Sequence, residues 1–391
     1  MRIIKWLITY LLIGFSTSVF AEQLLIPIQY LETTGARQLT PFTLEDEYYI
    51  AVAQFAEDIP DTPAKMDGGN ADVDVIIFKK AGSQFREYQR IPGHGNESAT
   101  FFSIGKNSFL AIASAHSGPH PPFNLHTYSM LYQWDGRYFY PVQEFLTYGA
   151  QQWYSFNIGQ RHFLAVANGG STSENKGHPQ ETNSMIYEWD GKKFVPFQTI
   201  PSRQGYSFKT FSINNKLFLA FADHLKQSSL YLWDGAQFNL YQQFKGDGGR
   251  GFEFFMLDNK FYLAYANIKT DSVLYQWDGK KFNPYQLLQG EGGRHFSYFT
   301  LRDEHYLFRI NFITGNHTNP NPALQSPLYQ WKEGQFAIIQ TIPTFGGVSS
   351  HVFSMDGSLY MTLANSLSAD RRFKVKSVIY EITKGKHIEY G

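Results

Sequence analysis

The stretch Leu131–Gly136 reads LYQWDG, and near-copies return along the chain. They are IYEWDG at Ile186–Gly191, LYLWDG at Leu230–Gly235, LYQWDG at Leu274–Gly279 and LYQWKEG at Leu328–Gly334. The tryptophans fall at 134, 189, 233, 277 and 331, in steps of 55, 44, 44 and 54 residues. A period in that range marks a solenoid, a propeller or an array, in which each unit buries its core against its neighbours.

Working outward, a second unit precedes each copy: an aromatic, any residue, then an aliphatic. It occurs seven times, as Phe42-Thr-Leu44, Phe102-Ser-Ile104, Phe156-Asn-Ile158, Phe211-Ser-Ile213, Phe255-Met-Leu257, Phe299-Thr-Leu301 and Phe353-Ser-Met355. Apolar residues at i and i+2 share one face of a strand. Turn-prone pairs such as Glu45-Asp46, Asn214-Asn215 and Asp258-Asn259 follow, and predict tight hairpins.

The return strand alternates alanine: Tyr49-Ile-Ala-Val-Ala53, Phe109-Leu-Ala-Ile-Ala113, Phe163-Leu-Ala-Val-Ala167, Phe218-Leu-Ala-Phe-Ala222 and Tyr262-Leu-Ala-Tyr-Ala266. Alanine is a poor strand former, so a close neighbour on that face is implied, and this strand is expected towards the centre. The sixth round has Phe308 and Ile310 instead and the seventh Thr362 and Ala364, so both are expected to pack differently. LYQWDG supplies a third strand. Phe139-Tyr-Pro-Val-Gln143, Phe194-Val-Pro-Phe-Gln198 and Phe282-Asn-Pro-Tyr-Gln286 supply a fourth, whose proline suits an outer edge. Val75–Phe78 and Val378–Ile382 complete the third strands.

Seven rounds of four antiparallel strands predict an all-β chain, a seven-bladed β-propeller. Ile26–Leu31 matches the fourth-strand unit and is expected in the last blade, closing the ring and removing an exposed edge.

The repeat lYxWdG, FxPyQ, glycine loop, FxI, yLAvA resembles the epilepsy-associated (EAR, or EPTP) repeat over about Leu25 to Gly391. It is similar to the propellers of the leucine-rich glioma-inactivated proteins and of thrombospondin-type proteins with these repeats. The resemblance implies a seven-bladed propeller used in extracellular protein–protein recognition, and it implies no catalytic residues. The chain departs from those animal proteins in having no leucine-rich partner domain and no cysteine.

The first 21 residues differ from the rest. Arg2 and Lys5 precede an apolar run, Trp6–Phe15, and small residues end at Ala21, the layout of a cleaved secretory signal peptide. The run is short of the roughly 20 residues a membrane span needs. The expected product is a single exported domain, 22–391, periplasmic or secreted, with no stable membrane span. Lys and Arg number 34, Asp and Glu 34, so the formal charge is zero. That argues against broad binding to nucleic acid or anionic membrane. The absence of cysteine excludes disulfides, thiolate metal sites and a cysteine nucleophile.

Loops two strands apart emerge on the same side of a blade. The glycine loops before each first strand therefore share a face with the loops between second and third strands. The latter carry the insertions Ala56–Asp72, Ala115–Thr127, Asn168–Asn183 and Asn311–Ser326, and unequal loops on one face mark a binding face. From the glycine loops come the binding candidates Arg37, His94, Trp153, Arg250, Arg294 and His295.

The three arginines occupy matching positions and suit carboxylates or anionic sugars through the planar guanidinium. The competing reading is structural, with each bonding a neighbouring blade's carbonyls. His116, His120 and His126 lie in one insertion without a metal-ligand spacing, so neither metal nor cofactor is expected. Asp135, Asp190, Asp234 and Asp278 sit in Asp-Gly turns, which explains them as turn formers. The favoured function is non-catalytic binding of a protein, or of a cell-surface glycan. The alternative is an exported propeller enzyme, a glycosidase or lyase, which needs an acid–base pair converging on the axis.

Overall fold

The computed structural model describes residues 23–170, 183–316 and 319–384; the expected signal peptide lies outside the described residues. Seven four-stranded antiparallel sheets form the blades of a β-propeller. In the first blade the strands run in sheet order Ala36–Leu44, Glu47–Gln54, Val75–Ala81 and Gln84–Ile91, and the next five repeat that order. The seventh is assembled from Gly347–Met355, Ser358–Asn365 and Ser377–Ile382, with Leu25–Leu31 as its outer strand. Leu25 pairs with Ile382 and Leu31 with Ser377, so the ring closes as expected.

First strands of adjacent blades pack side by side around the axis, and the proline-bearing strands lie at the rim. The alanine-rich strand is second from the axis; the aromatic-x-aliphatic strand is innermost. The reason for the alanines is visible one layer out. Ala51 and Ala53 face the second blade's Leu110 and Ile112 in one buried cluster, and Ala111 and Ala113 face Leu164 and Val166 of the third. A small row on one blade meets a large row on the next, which lets two sheets approach at interior packing density.

The sixth and seventh blades do differ. Phe308 and Ile310 pack with Met361 and Leu363, while Thr362 donates its hydroxyl to Leu39 O of the first blade at 2.9 Å. Arg309, buried beside them, donates to Leu288 O and Gln289 O of the fifth blade's rim.

The fourth-strand glutamine closes the rim. Gln143 donates its amide to Phe194 O at 2.7 Å and accepts the Phe194 N–H at 2.9 Å, clamping the third blade to the second. The same double bond joins Gln89 to Phe139, Gln198 to Phe238, Gln242 to Phe282 and Gln286 to Phe336. Gln340 takes the Leu24 and Leu25 N–H groups, and Gln29 takes Phe85, so the clamps run unbroken around the ring. The Asp-Gly turns are capped as their chemistry predicts: Asp135, Asp190, Asp234 and Asp278 each accept two backbone N–H groups through Oδ1.

Candidate functional site

Every innermost strand carries a β-bulge at its second residue, where the register slips against the strand behind it. The slips lie between Ala36 and Gln38, Asn96 and Ser98, Ala150 and Gln152, Gly205 and Ser207, Gly249 and Gly251, Gly293 and His295, and Gly347 and Ser350. A bulge leaves one residue unpaired and re-aims its side chain. The residues so placed are Arg37, Glu97, Gln151, Tyr206, Arg250, Arg294 and, in the seventh blade, the pair Val348-Ser349. They form a ring at one end of the axis.

Backbone fixes that ring. Gly35 and Gly149 are left-handed, at φ 54° and 57°. A Cβ on Gly35 would lie 2.8 Å from Ala56 O, and one on Gly149 would lie 2.3 Å from Gly170 Cα, so no larger residue fits. The first residue after each second strand donates to the carbonyl of such a loop residue: Phe55 to Gly35, Ala115 to Gly95, Gly169 to Gly149, Ile268 to Gly248 and Phe312 to Gly292. Most of these glycines donate in turn to the preceding blade, as Gly149 N–H does to Leu125 O at 3.0 Å. The two loop sets are thus tied together on a single face.

That face opens as a funnel. Its mouth, about 750 Å³, is lined by the bulge residues together with Phe55, His116, His224, Ile268 and Phe312 from the second-to-third-strand loops. It narrows through a neck at Ser98, Gln152, Ser207, Ser349 and His351 into an axial channel of about 380 Å³ walled by first strands of all seven blades. The insertions at 56–72 and 115–127 and the described residues of 311–326 stand around the mouth. A fourth long loop, residues 366–376, places Phe373 in an apolar cluster with Phe55, Ala56, Ala115 and Phe312. Residues 171–182 of the remaining insertion lie outside the described residues.

The mouth is electrostatically lopsided. Arg37 Nε lies 3.4 Å from Glu97 Oε1, and Arg294 Nη2 reaches Glu97 Oε2 at 3.5 Å from across the axis. Arg250 has no carboxylate among its described contacts; its guanidinium lies 3.8 Å above the Tyr206 ring. Arg294 lies over the same Tyr206 ring at 4.6 Å and 5.6 Å from the Phe312 ring, and Arg37 lies 3.9 Å over Phe55.

Stacking holds guanidinium planes while leaving their N–H edges available. Burial pushes the Arg37 pKa down to about 10 against the opposing pull of Glu97. Burial pushes Arg250 well below the usual arginine range, and Arg294 adds to the effect. His116 and His224 are each pushed down to about 4, chiefly by burial, and stand neutral at pH 7. In the channel below, Lys209 Nζ is paired with Glu253 Oε2 at 2.7 Å.

Of the sequence candidates, Arg37, Arg250 and Arg294 meet in this ring. His295 follows Arg294 and faces the neck, its ring 5.8 Å from that of His351; burial keeps it neutral. Trp153 belongs to the core instead. It sits two residues past its bulge, where alternation turns the side chain between blades, and Nε1–H donates to Ile112 O at 3.1 Å. His94 stands exposed outside the mouth, on Asp72 Oδ1 at 2.7 Å, and the same oxygen accepts the Gly118 N–H, so the group fastens two loops.

His116, His120 and His126 end in three separate surroundings: the mouth, the Pro121 carbonyl and the Tyr148 ring. Glu97, Gln151 and Tyr206 were missed because no shared residue type links them to the arginines. The two-residue offset from the loop glycine would have found Glu97 and Gln151; in the fourth round Gln204 stands where that glycine would be, two residues before Tyr206.

These features define a seven-bladed propeller with a built cationic mouth. The chain belongs to the EPTP family: the EPTP domain model matches residues 84–135, 139–190, 193–234, 237–278 and 335–382, more than half of the chain. Each match begins on a rim strand and ends on the third strand of the next blade, the same stagger that closes the ring.

The human thrombospondin-type laminin G domain and EAR repeat-containing protein is 32% identical over 157 residues, 39% of this chain and 22% of that protein. The mouse protein of the same name is 31% identical over 157 residues, with the same shares. The match therefore spans about a fifth of those relatives. Among solved structures, the SapL1 lectin in complex with alpha methyl fucoside gives a TM-score of 0.44 at 12% identity. That alignment covers 80% of this chain and 97% of the lectin.

Proposed function

We propose that this chain is an exported, non-catalytic binding propeller that holds a protein partner on the face carrying the funnel mouth and the unequal loops. The observation that carries the reading is the mouth itself: seven equivalent, backbone-fixed positions filled by five different solutions, with three buried guanidiniums and one carboxylate that two of them share. A structural ring would repeat its residue, as the glutamine clamps do. Membership of the EPTP family supports a recognition role, and neither relative's name is that of an enzyme. Against a glycosidase or lyase stands the state of the two carboxylates that the innermost strands place in the funnel, Glu97 and Glu253; Asp67 and Glu291 at the mouth come from loops. Glu97 is held between Arg37 and Arg294 and Glu253 by Lys209, whereas such an enzyme needs one carboxyl kept protonated and another free.

The test is affinity capture with the mature domain beside a variant in which residues 117–124 are replaced by a short glycine-serine link. Loss of a captured partner with an unchanged melting temperature is the expected result. Equal capture by both proteins would move the binding surface elsewhere. Export is checked by fractionating cells that express the full chain and reading whether Ala21 is the new terminus boundary.

A further inference from the structure

We propose that the ring of bulge residues binds a sugar acid: a compact anion with a carboxylate and neighbouring hydroxyl groups, as in a uronic acid. The proposal rests on the mouth being the binding face, and names what enters it.

Three observations converge. Arg37, Glu97, Arg250 and Ser349 are 6%, 7%, 9% and 8% exposed, yet Arg250 Nε and Nη1 and Ser349 Oγ have no hydrogen-bond partner among the described residues, and Arg37 Nε and Glu97 Oε2 have only the long ion pairs at 3.4 and 3.5 Å. Buried polar atoms in native proteins are nearly always satisfied, and orphans at a concave site point to a missing ligand. All five atoms belong to residues lining both the mouth and the neck, apart from Ser349, which lines the neck alone.

The charge balance fixes the sign of the ligand. Among the bulge residues three guanidiniums stand against one carboxylate; Asp67, Glu291 and Lys269 also line the mouth, so the unmet demand for an anion is local, at the buried Arg250 edge that no carboxylate contacts among the described residues. A carboxylate on the free Arg250 edge is the planar, two-point partner that guanidinium geometry favours.

The remaining orphans fix what surrounds the charge. Glu97 Oε2, held only by Arg294 at 3.5 Å, can accept a further hydrogen bond and Ser349 Oγ can do either, so hydroxyls on the body of the ligand would meet both. Gln151 stands beside them in the mouth and Ser98 and Ser207 in the neck. A bare dicarboxylate would leave Glu97 facing like charge, and an apolar side chain would leave every orphan unmet. A mouth of about 750 Å³ admits one or two saccharide units.

Titration calorimetry on the mature chain at low salt tests this with four probes: sodium D-glucuronate, D-glucose, glutarate and acetylated aspartate amide. Glucuronate is expected to bind, and each of the others about tenfold more weakly or worse, the loss of one charge-assisted pair or of matched hydroxyl bonds. Arg250→Gln should weaken glucuronate about tenfold at an unlowered melting temperature. Ser349→Ala should weaken glucuronate severalfold while leaving glutarate unchanged.

Equal binding of glucose, or indifference to Arg250→Gln, overturns the anion site. Acetylated aspartate amide binding where glucuronate does not would replace the sugar with an acidic protein side chain. The variant shortened at 117–124 keeps the ring, so it should retain glucuronate. Partner capture without glucuronate binding sinks the sugar acid and spares the binding face; glucuronate binding without capture does the reverse.

Discussion

The rim and the mouth are each built at seven equivalent positions, and they are filled in opposite ways. At the rim the same glutamine makes the same double bond in every blade, and each amide is satisfied. At the mouth the bulge is repeated and the side chain is not: arginine, glutamate, glutamine, tyrosine, arginine, arginine and a valine-serine pair. There, buried donors and acceptors are left over. Repetition with satisfaction is what holding a ring requires. Variation with orphaned polar atoms, on a backbone just as rigid, is what a site waiting for something else looks like.

The sharpest way to break the rim half of that comparison is to open the ring. Removing residues 23–31 strips the seventh blade of its outer strand, the buried Leu25 and Leu31, and the Gln29 clamp. Two buried leucines alone are worth more than about 5 kcal/mol. The expected outcome is loss of cooperative unfolding in urea, or a midpoint too low to measure. A variant that melts like the parent would show that the closure does not hold the ring.

A pH series separates the two regions without cutting either. His116 in the mouth is neutral when folded because burial, aided by Arg37 and opposed by Asp72, lowers its pKa from 6.5 to about 4. Between those values the unfolded chain takes up a proton that the folded chain refuses. Stability is therefore full above about pH 6.5 and falls as pH drops towards 4, by at most about 3 kcal/mol from this residue. His224 adds a loss in the same window, also from burial. Urea midpoints measured from pH 7 to pH 4 should fall less steeply in His116→Leu; parallel curves would mean that the histidine is solvated.

Within the rim, Gln143→Ala removes both bonds to Phe194 and leaves a buried N–H and C=O unpaired, a cost of about 2 kcal/mol. Partner capture should persist at temperatures where the variant is folded. The equivalent change at Gln242 should cost the same, since the environment is the same, and a large difference between the two would show that the clamps are not equivalent.

How much of this was legible follows from what repeats. The blade count, the strand order from the axis-proximal hairpin to the proline rim, and the placement of Ile26–Leu31 could be read because periodic packing imposes periodic residues. The alanine strands were expected towards the centre and stand second from the axis; what sequence could not give is which row of the next blade each small row meets. At the mouth, the arginines were visible as matching residues, but Glu97, Gln151 and Tyr206 were not, since a functional ring shares a position and not a residue type. Trp153 was drawn in by its loop, and a shift of two residues along a strand put it in the core.

Arg250→Met is the smallest expected effect and the one that decides between the two readings of the arginines. If Arg250 served the fold by bonding neighbouring carbonyls, as Arg309 does with Leu288 and Gln289, its loss would destabilise the chain. Its Nε and Nη1 instead have no hydrogen-bond partner among the described residues, it faces Arg294 and Arg37, and burial holds its charged form at a disadvantage. Replacing an uncompensated buried charge with an apolar chain of similar length is often stabilising, here by about 1 kcal/mol. A urea midpoint that rises while ligand binding disappears is the signature of a residue kept for recognition at the expense of stability. A midpoint that falls by more than about 1 kcal/mol would return Arg250 to the scaffold and erase the contrast between mouth and rim.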